Sequence, residues 1–169
     1  HPDDETLGCG GTLLKHNHQG ENIHWIIVTE MTQDIGFTKE RMEKRAKEIE
    51  RVSSLYGFSS VSFLGFPTTR LNGSMMGDII DKLGSAFGRI HPEIVYMPSF
   101  CDIHTDHKVV CEAVASCTKW FRNSSIRRVL SYETLSETNF AIAPECSPFR
   151  PNVFKNIDPF LQKKIDIFK

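Results

Sequence analysis

Residues 93–121 read EIVYMPSFCDIHTDHKVVCEAVASCTKWF. Three signals follow one another in this stretch. Glu93–Pro98 is a short apolar run with β-branched and aromatic residues, closed by proline, which is the pattern of a buried strand. A polar loop comes next. From Asp106 to Phe121 the apolar residues Val110, Ala113, Val114, Cys117 and Phe121 fall at helical spacing and are expected to face inward. The unit is therefore strand, loop, helix, and the loop carries His104-Thr105-Asp106-His107.

The same alternation extends in both directions. Asp4 to about His18 reads as a helix stopped by Gly20, and Ile23–Thr29 (IHWIIVT) reads as a buried strand. Thr38 is placed to cap a helix running to Tyr56, with Glu40 in its first turn, a stripe of Met42, Ala46, Ile49, Val52 and Tyr56, and Gly57 as its stop. Ser60–Leu64 is a short strand, Leu64–Gly73 a loop rich in turn formers, and Asp78–Arg89 a helix with Ile80, Leu83 and Phe87 on one face. Beyond the quoted stretch, Arg128–Glu133 is a strand. Pro144, Pro148 and Pro151 mark a loop-rich excursion, and Asp158-Pro159 starts a last helix. Strands alternating with helices at short spacing imply a parallel sheet covered on both faces, an α/β fold of Rossmann-like three-layer α/β/α type. No repeat, low-complexity tract or linker interrupts residues 1–169, so a single domain is expected.

The chain has 169 residues, 40% hydrophobic and 24% charged, with a formal net charge of -1. That length suits one full-sized core. A near-neutral balance without a basic stripe gives no footprint for nucleic acid. No apolar run approaches the ~20 residues of a membrane span, and there is no signal-peptide pattern. Five scattered cysteines, Cys9, Cys101, Cys111, Cys117 and Cys146, form no CxxC pair. Neither a disulfide framework nor a thiolate zinc site is indicated, and a reducing cytoplasm is the expected compartment. A homo-oligomer is compatible with this composition.

Two segments concentrate imidazole and carboxylate: His1-Pro2-Asp3-Asp4-Glu5 and His104-Thr105-Asp106-His107. Together they offer the nitrogen and oxygen donors that Zn²⁺ accepts in sites keeping one position open for water. The second segment lies just beyond a strand, and the first lies just before a helix, where a strand end belongs. In open α/β sheets ligands bind beyond the carboxyl ends of strands. That placement requires a strand ahead of His1, so the first strand is expected to have been trimmed. Against this, an isolated histidine is ordinarily solvated or hydrogen-bonded, and His16, His18, His24 and His91 are read that way. Asp3-Asp4 and Asp106, each taken alone, have a helix cap as the minority account. Two such segments at equivalent strand ends are not explained that way.

HPDDETLGCGG (His1–Gly11) followed by HTDH resembles the PIG-L/LmbE-type zinc deacetylases, which act on N-acetylglucosamine-containing compounds. The likeness extends over element order, spacing and segments such as Pro151–Ile157. It implies a hydrolase that removes an acyl group, usually acetyl, from the nitrogen of an amino sugar, with a small N-acetylated sugar or glycoconjugate as substrate. It also implies one zinc ion held by His1, Asp4 and His107, with Asp3 as general base. His104 is implied to stabilise or protonate, oriented by Asp106. A carboxylate not committed to the metal can take the proton of an attacking water, worth ~10²–10⁴-fold in rate. A histidine paired with an aspartate favours the imidazolium that would stabilise an oxyanion and protonate a leaving amine.

Other residues carry weaker signals. Arg70 follows a strand and is a candidate for gripping a sugar hydroxyl or phosphate. The resembling enzymes often have an aspartate in that loop, where this chain has Thr68 and Thr69. Gly8, Gly10 and Gly11 permit either close substrate approach or tight packing. Glu5 either bonds within the site or favours the helix N-terminus. Cys101 reads as a small buried residue, and Thr29–Phe37 as a lip of the pocket. Two other readings compete. Asp102–His107 resembles part of the HxHxDH signature of metallo-β-lactamase-type hydrolases, whose core is a β-sandwich. A Rossmann-like binding module with structural acid–histidine pairs is the non-catalytic alternative.

Overall fold

The computed structural model describes residues 1–135, 137–140 and 149–169. The chain divides into two compact units, His1–Thr68 with Val153–Lys169, and Thr69–Asn152. Each is described by itself.

In the first unit, helix α1 spans Asp4–His18, with Asp4 and Glu5 in its first turn and Lys15, His16 and His18 in its last. That charge order complements the helix dipole. Gly20 follows in the left-handed region at φ 77, where a side chain would be strained. Strand β1, His24–Glu30, leads through a 3₁₀ turn at Gln33–Ile35 to helix α2, Lys39–Tyr56. The Thr38 hydroxyl accepts the Arg41 N–H, and Gly57 ends α2 with its N–H on the Ser53 and Ser54 carbonyls, as the sequence predicts. Of the anticipated stripe on α2, Tyr56 is fully buried, while Met42, Ile49 and Val52 are half-buried and Ala46 is exposed. Strand β2, Ser60–Pro67, runs parallel to β1, from His24 opposite Ser60 to Glu30 opposite Pro67.

β2 is three residues longer than the sequence indicates. The register shifts between Ile27 and Thr29, and Gly65 has φ 74. A glycine at positive φ absorbs one extra residue as a bulge, and pairing then resumes. The stretch that reads as turn formers therefore stays in the sheet as far as Pro67. Helix α5, Leu161–Phe168, follows a 3₁₀ turn at Asp158–Phe160, with Pro159 in its first turn. α5 packs on α1, and Lys164 Nζ donates to the Leu7 carbonyl at 3.0 Å. Close packing accounts for two glycines: a Cβ at Gly10 would collide with the Tyr56 hydroxyl, and one at Gly11 would lie 2.5 Å from Ile157 Cδ1.

In the second unit, helix α3 spans Met76–Ile90 and buries Ile79, Leu83, Ala86 and Phe87. Strand β3, Ile94–Pro98, is followed by helix α4, Thr105–Cys117, and by strand β4, Arg128–Tyr132, parallel to β3 from Ile94 opposite Arg128 to Pro98 opposite Tyr132. α4 packs against both α3 and β3. It ends four residues before the anticipated Phe121, because the Asn123 side-chain amide donates to the Cys117 carbonyl at 2.8 Å. Ala113, Val114 and Cys117 are buried as expected, but Phe121 is 64% exposed and does not face inward.

Each unit thus holds a two-stranded parallel sheet whose strands are joined through a helix, β1–α2–β2 and β3–α4–β4. Parallel neighbours require such a crossover, and the architecture is α/β. It overturns the metallo-β-lactamase reading, which needs a β-sandwich. Among the described residues no helix is long and apolar enough to cross a membrane. Cys101 is disulfide-bonded, against the expectation of a buried thiol without a disulfide. Pro144 and Pro148 lie outside the described residues.

Gly11→Ala is expected to destabilise the protein. Overpacking against Ile157 costs about 1–3 kcal/mol, partly offset by about 1 kcal/mol of helix propensity. In an Ile157→Ala background the same substitution should become stabilising, and urea unfolding of the four proteins reads the sign reversal.

Candidate metal centre

The first unit positions the N-terminal motif at the start of α1. His1 Nδ1 lies 3.1 Å from Asp4 Oδ2, and the Asp4 carboxylate is buried. Asp3 is the more exposed of the two, its side chain 48% exposed, with Arg45 Nη1 at 3.9 Å from its Oδ2. The same Arg45 nitrogen donates to the Pro2 carbonyl at 2.9 Å, so α2 holds the turn before α1 in place. Nothing in the sequence singled out Arg45, because its contacts with Pro2 and Asp3 lie more than forty residues away, and its pairing with Glu48 at 3.5 Å is an ordinary helix-surface contact. Adjacent carboxylates here occupy different environments, one turned inward and one near solvent.

Glu5 occupies a third environment. It is buried, its Oε1 accepts the Thr6 hydroxyl at 2.6 Å, and its Oε2 has no partner among the described residues. Burial, reinforced by the charges of Asp3 and Asp4, pushes its carboxyl up to about 7. Glu5 therefore bonds to its own helix turn and sits against the interior. Burial also pushes the Cys9 thiol and Tyr56 phenol up, which keeps both protonated.

The second unit positions the other motif at the end of β3 and the start of α4. His104 is the residue before α4, and its Nδ1 accepts the Asp106 N–H at 3.2 Å. The neutral ring then carries its proton on Nε2. The His104 and His107 rings stack, with centroids 5.0 Å apart and planes inclined by 22°. His107 is 2% exposed, and its Nδ1–H donates to Oδ2 of Asp102, itself 0% exposed, at 2.6 Å. An imidazole bonded this way presents its Nε2 lone pair, the arrangement of metal-ligating histidines backed by a carboxylate. The Asp102 Oδ1 atom is buried without a partner among the described residues.

The Asp106 carboxylate reaches across to the loop after β2. Its Oδ2 accepts the Thr69 N–H at 2.7 Å and its Oδ1 the Leu71 N–H at 3.2 Å. Thr69 has φ 60, a left-handed conformation that a β-branched residue rarely adopts. The Asp106 clamp holds it there, and Arg70 projects exposed between the two gripped amides. Of the remaining histidines, His16 bonds Glu21 at 2.6 Å, His24 bonds Ser60 at 2.8 Å, and His18 packs against the Phe160 ring.

Each unit by itself carries donors of the kind a divalent metal ion accepts: in the first, His1 and Asp4 place nitrogen and oxygen side by side, and in the second, His107 offers a nitrogen whose tautomer is set by Asp102. Asp102 had entered the sequence reading only as a substitute for histidine in a competing signature. Its five-residue separation from His107 spans a loop and a helix start, so no periodicity announces the pair.

Asp102→Asn is expected to weaken metal affinity about 10–100-fold, the usual effect of losing an outer-shell carboxylate. Chelator competition measures it, and an unchanged affinity would exclude this role. For Glu5 the sign follows from its raised value. The folded metal-free protein binds more protons than the unfolded chain between pH 4.5 and about 7. Stability therefore falls as pH rises through that window, by on the order of 3 kcal/mol. Glu5→Gln should flatten this slope in denaturant titrations.

Residues 1–118 match the family model described as "PIG-L: GlcNAc-PI de-N-acetylase". A probable N-acetyl-alpha-D-glucosaminyl L-malate deacetylase 2 of Bacillus anthracis is 23% identical over 98% of this chain and 74% of its own length. The crystal structure of the conserved protein TT1542 from Thermus thermophilus superposes with a TM-score of 0.77 and 25% identity, over 99% of this chain and 73% of that one. The N,N'-diacetylchitobiose deacetylase of Pyrococcus horikoshii superposes with a TM-score of 0.73 and 22% identity, over 99% of this chain and 65% of that one. With more than half of its residues matched, the chain belongs to the PIG-L family.

Proposed function

We propose that this protein is a zinc-dependent hydrolase that removes the N-acetyl group of an amino sugar, such as an N-acetylglucosaminyl compound. The observation that carries this reading is the buried Asp102–His107 pair at 2.6 Å, in a chain of the PIG-L family. In this reading His1, Asp4 and His107 hold one ion. The relatives named as deacetylases support the class of reaction. The same reading takes residues 1–169 as one domain of three-layer α/β/α type, supported by the likeness to TT1542 over 99% of the chain.

Zinc bound by such a donor set supplies Lewis-acid polarisation of a carbonyl and lowers the pKa of water to ~7. The residues divide the remaining work. Asp3, more exposed than Asp4, takes the proton of the attacking water as general base. His104, its Nδ1 engaged by the Asp106 N–H, directs Nε2–H toward the developing oxyanion, and the proton that Asp3 has taken from the water passes to the leaving amine. Asp106 sets the helix start on which His104 sits and clamps the loop that presents Arg70. Arg70 binds a hydroxyl or phosphate of the substrate.

Acetate release from N-acetylglucosaminyl substrates, measured alongside metal content, tests this reading. Asp3→Ala should lower kcat by ~10²–10⁴-fold with zinc retained. His107→Ala should lose zinc. His104→Ala should slow turnover with metal affinity nearly unchanged. Loss of zinc in Asp3→Ala would reverse the assignment of base and ligand, and full folding without metal or turnover would favour the binding module.

A further inference from the structure

We infer that the turn Lys119–Arg122 is a docking tip for an anionic membrane surface. Trp120 and Phe121 are 81% and 64% exposed. They occupy the two central positions of a turn closed by the Arg122 N–H on the Lys119 carbonyl at 2.8 Å. Such positions ordinarily hold Gly, Pro, Asn, Asp or Ser, and nothing in the local backbone requires aromatic side chains there. The two rings meet edge to face, with centroids 5.7 Å apart at 90°. The Asn123 bond to the Cys117 carbonyl fixes the turn to the end of α4. The result is a braced aromatic tip that contributes nothing to the core.

Charge decides the partner. Residues 119–128 read KWFRNSSIRR and carry Lys119, Arg122, Arg127 and Arg128, all exposed. No carboxylate occurs from residue 113 to residue 132, in a chain whose net charge is -1. None of the four cations forms an ion pair among the described residues. Tryptophan and phenylalanine seat at the headgroup boundary, and flanking lysine and arginine are drawn to anionic lipid. An aromatic tip collared by cations matches that surface in both respects. His107 lies toward the other end of α4, about 15 Å along the axis from Cys117. Substitutions in the tip therefore leave the His104–His107 segment intact.

Vesicle sedimentation with the whole chain tests the proposal, using phosphatidylcholine alone and phosphatidylcholine containing phosphatidylserine. The protein should partition to the anionic vesicles with a blue shift of tryptophan emission, since Trp25 is already buried and Trp120 supplies the change. Trp120→Ala with Phe121→Ala, and separately Lys119→Glu with Arg122→Glu, should each weaken partition about tenfold or more while circular dichroism stays unchanged. Equal partition to neutral vesicles, no partition at all, or full partition by either double variant overturns the proposal. A concentration-dependent dimer abolished by Trp120→Ala would also overturn it and assign the tip to a second copy of the chain.

Discussion

A buried carboxylate bonded to a buried imidazole is the constraint on which the rest of this structure depends. An ionised aspartate withdrawn from water costs several kcal/mol unless neighbours answer its charge. In this protein the N–H of His107 answers one oxygen of Asp102, and the other has no partner among the described residues. Because Nδ1 is committed, the His107 ring cannot rotate freely, and the direction of Nε2 is set in advance of any cation. A ligand preorganised by a second layer of hydrogen bonds is what a tight metal site requires.

The three consecutive carboxylates at the N-terminal motif show how environment divides identical chemistry. Asp4 is turned inward beside the His1 ring, Asp3 stands near solvent under the guanidinium of Arg45, and Glu5 is buried with a strongly raised carboxyl. Acid and base roles separate when neighbouring groups are held in unlike surroundings. The helix makes this possible, since successive residues in the turn before α1 and in its first turn point around the axis rather than along it.

α4 links several functions through its ends. Its N-terminus gathers His104, Asp106 and His107, and Asp106 extends the reach of that end to Thr69 and Leu71. The strained backbone at Thr69 persists because two amides on either side of Arg70 are held by one carboxylate. Strain of this kind fixes an exposed arginine more firmly than a free loop would. The C-terminus of the same helix is terminated by Asn123, which turns Trp120 and Phe121 out to solvent.

Much of the fold was legible in the sequence because its signals are local. The Thr38 cap, the glycine stops at 20 and 57 and the alternation of strand and helix depend on residues within a few positions of one another. The family resemblance of HPDDE and HTDH was legible for the same reason. Tertiary structure alone decided the bulge at Gly65 that keeps β2 in the sheet, the grip of Arg45 on Pro2, the clamp of Asp106 on the Arg70 loop and the exposure of Phe121. Each of the first three joins groups 35 to 43 residues apart. Helical periodicity placed Phe121 inside because it assumes that a helix continues. A side-chain amide satisfying one terminal carbonyl ended it, and a hydrogen bond made out of sequence carries no periodic mark.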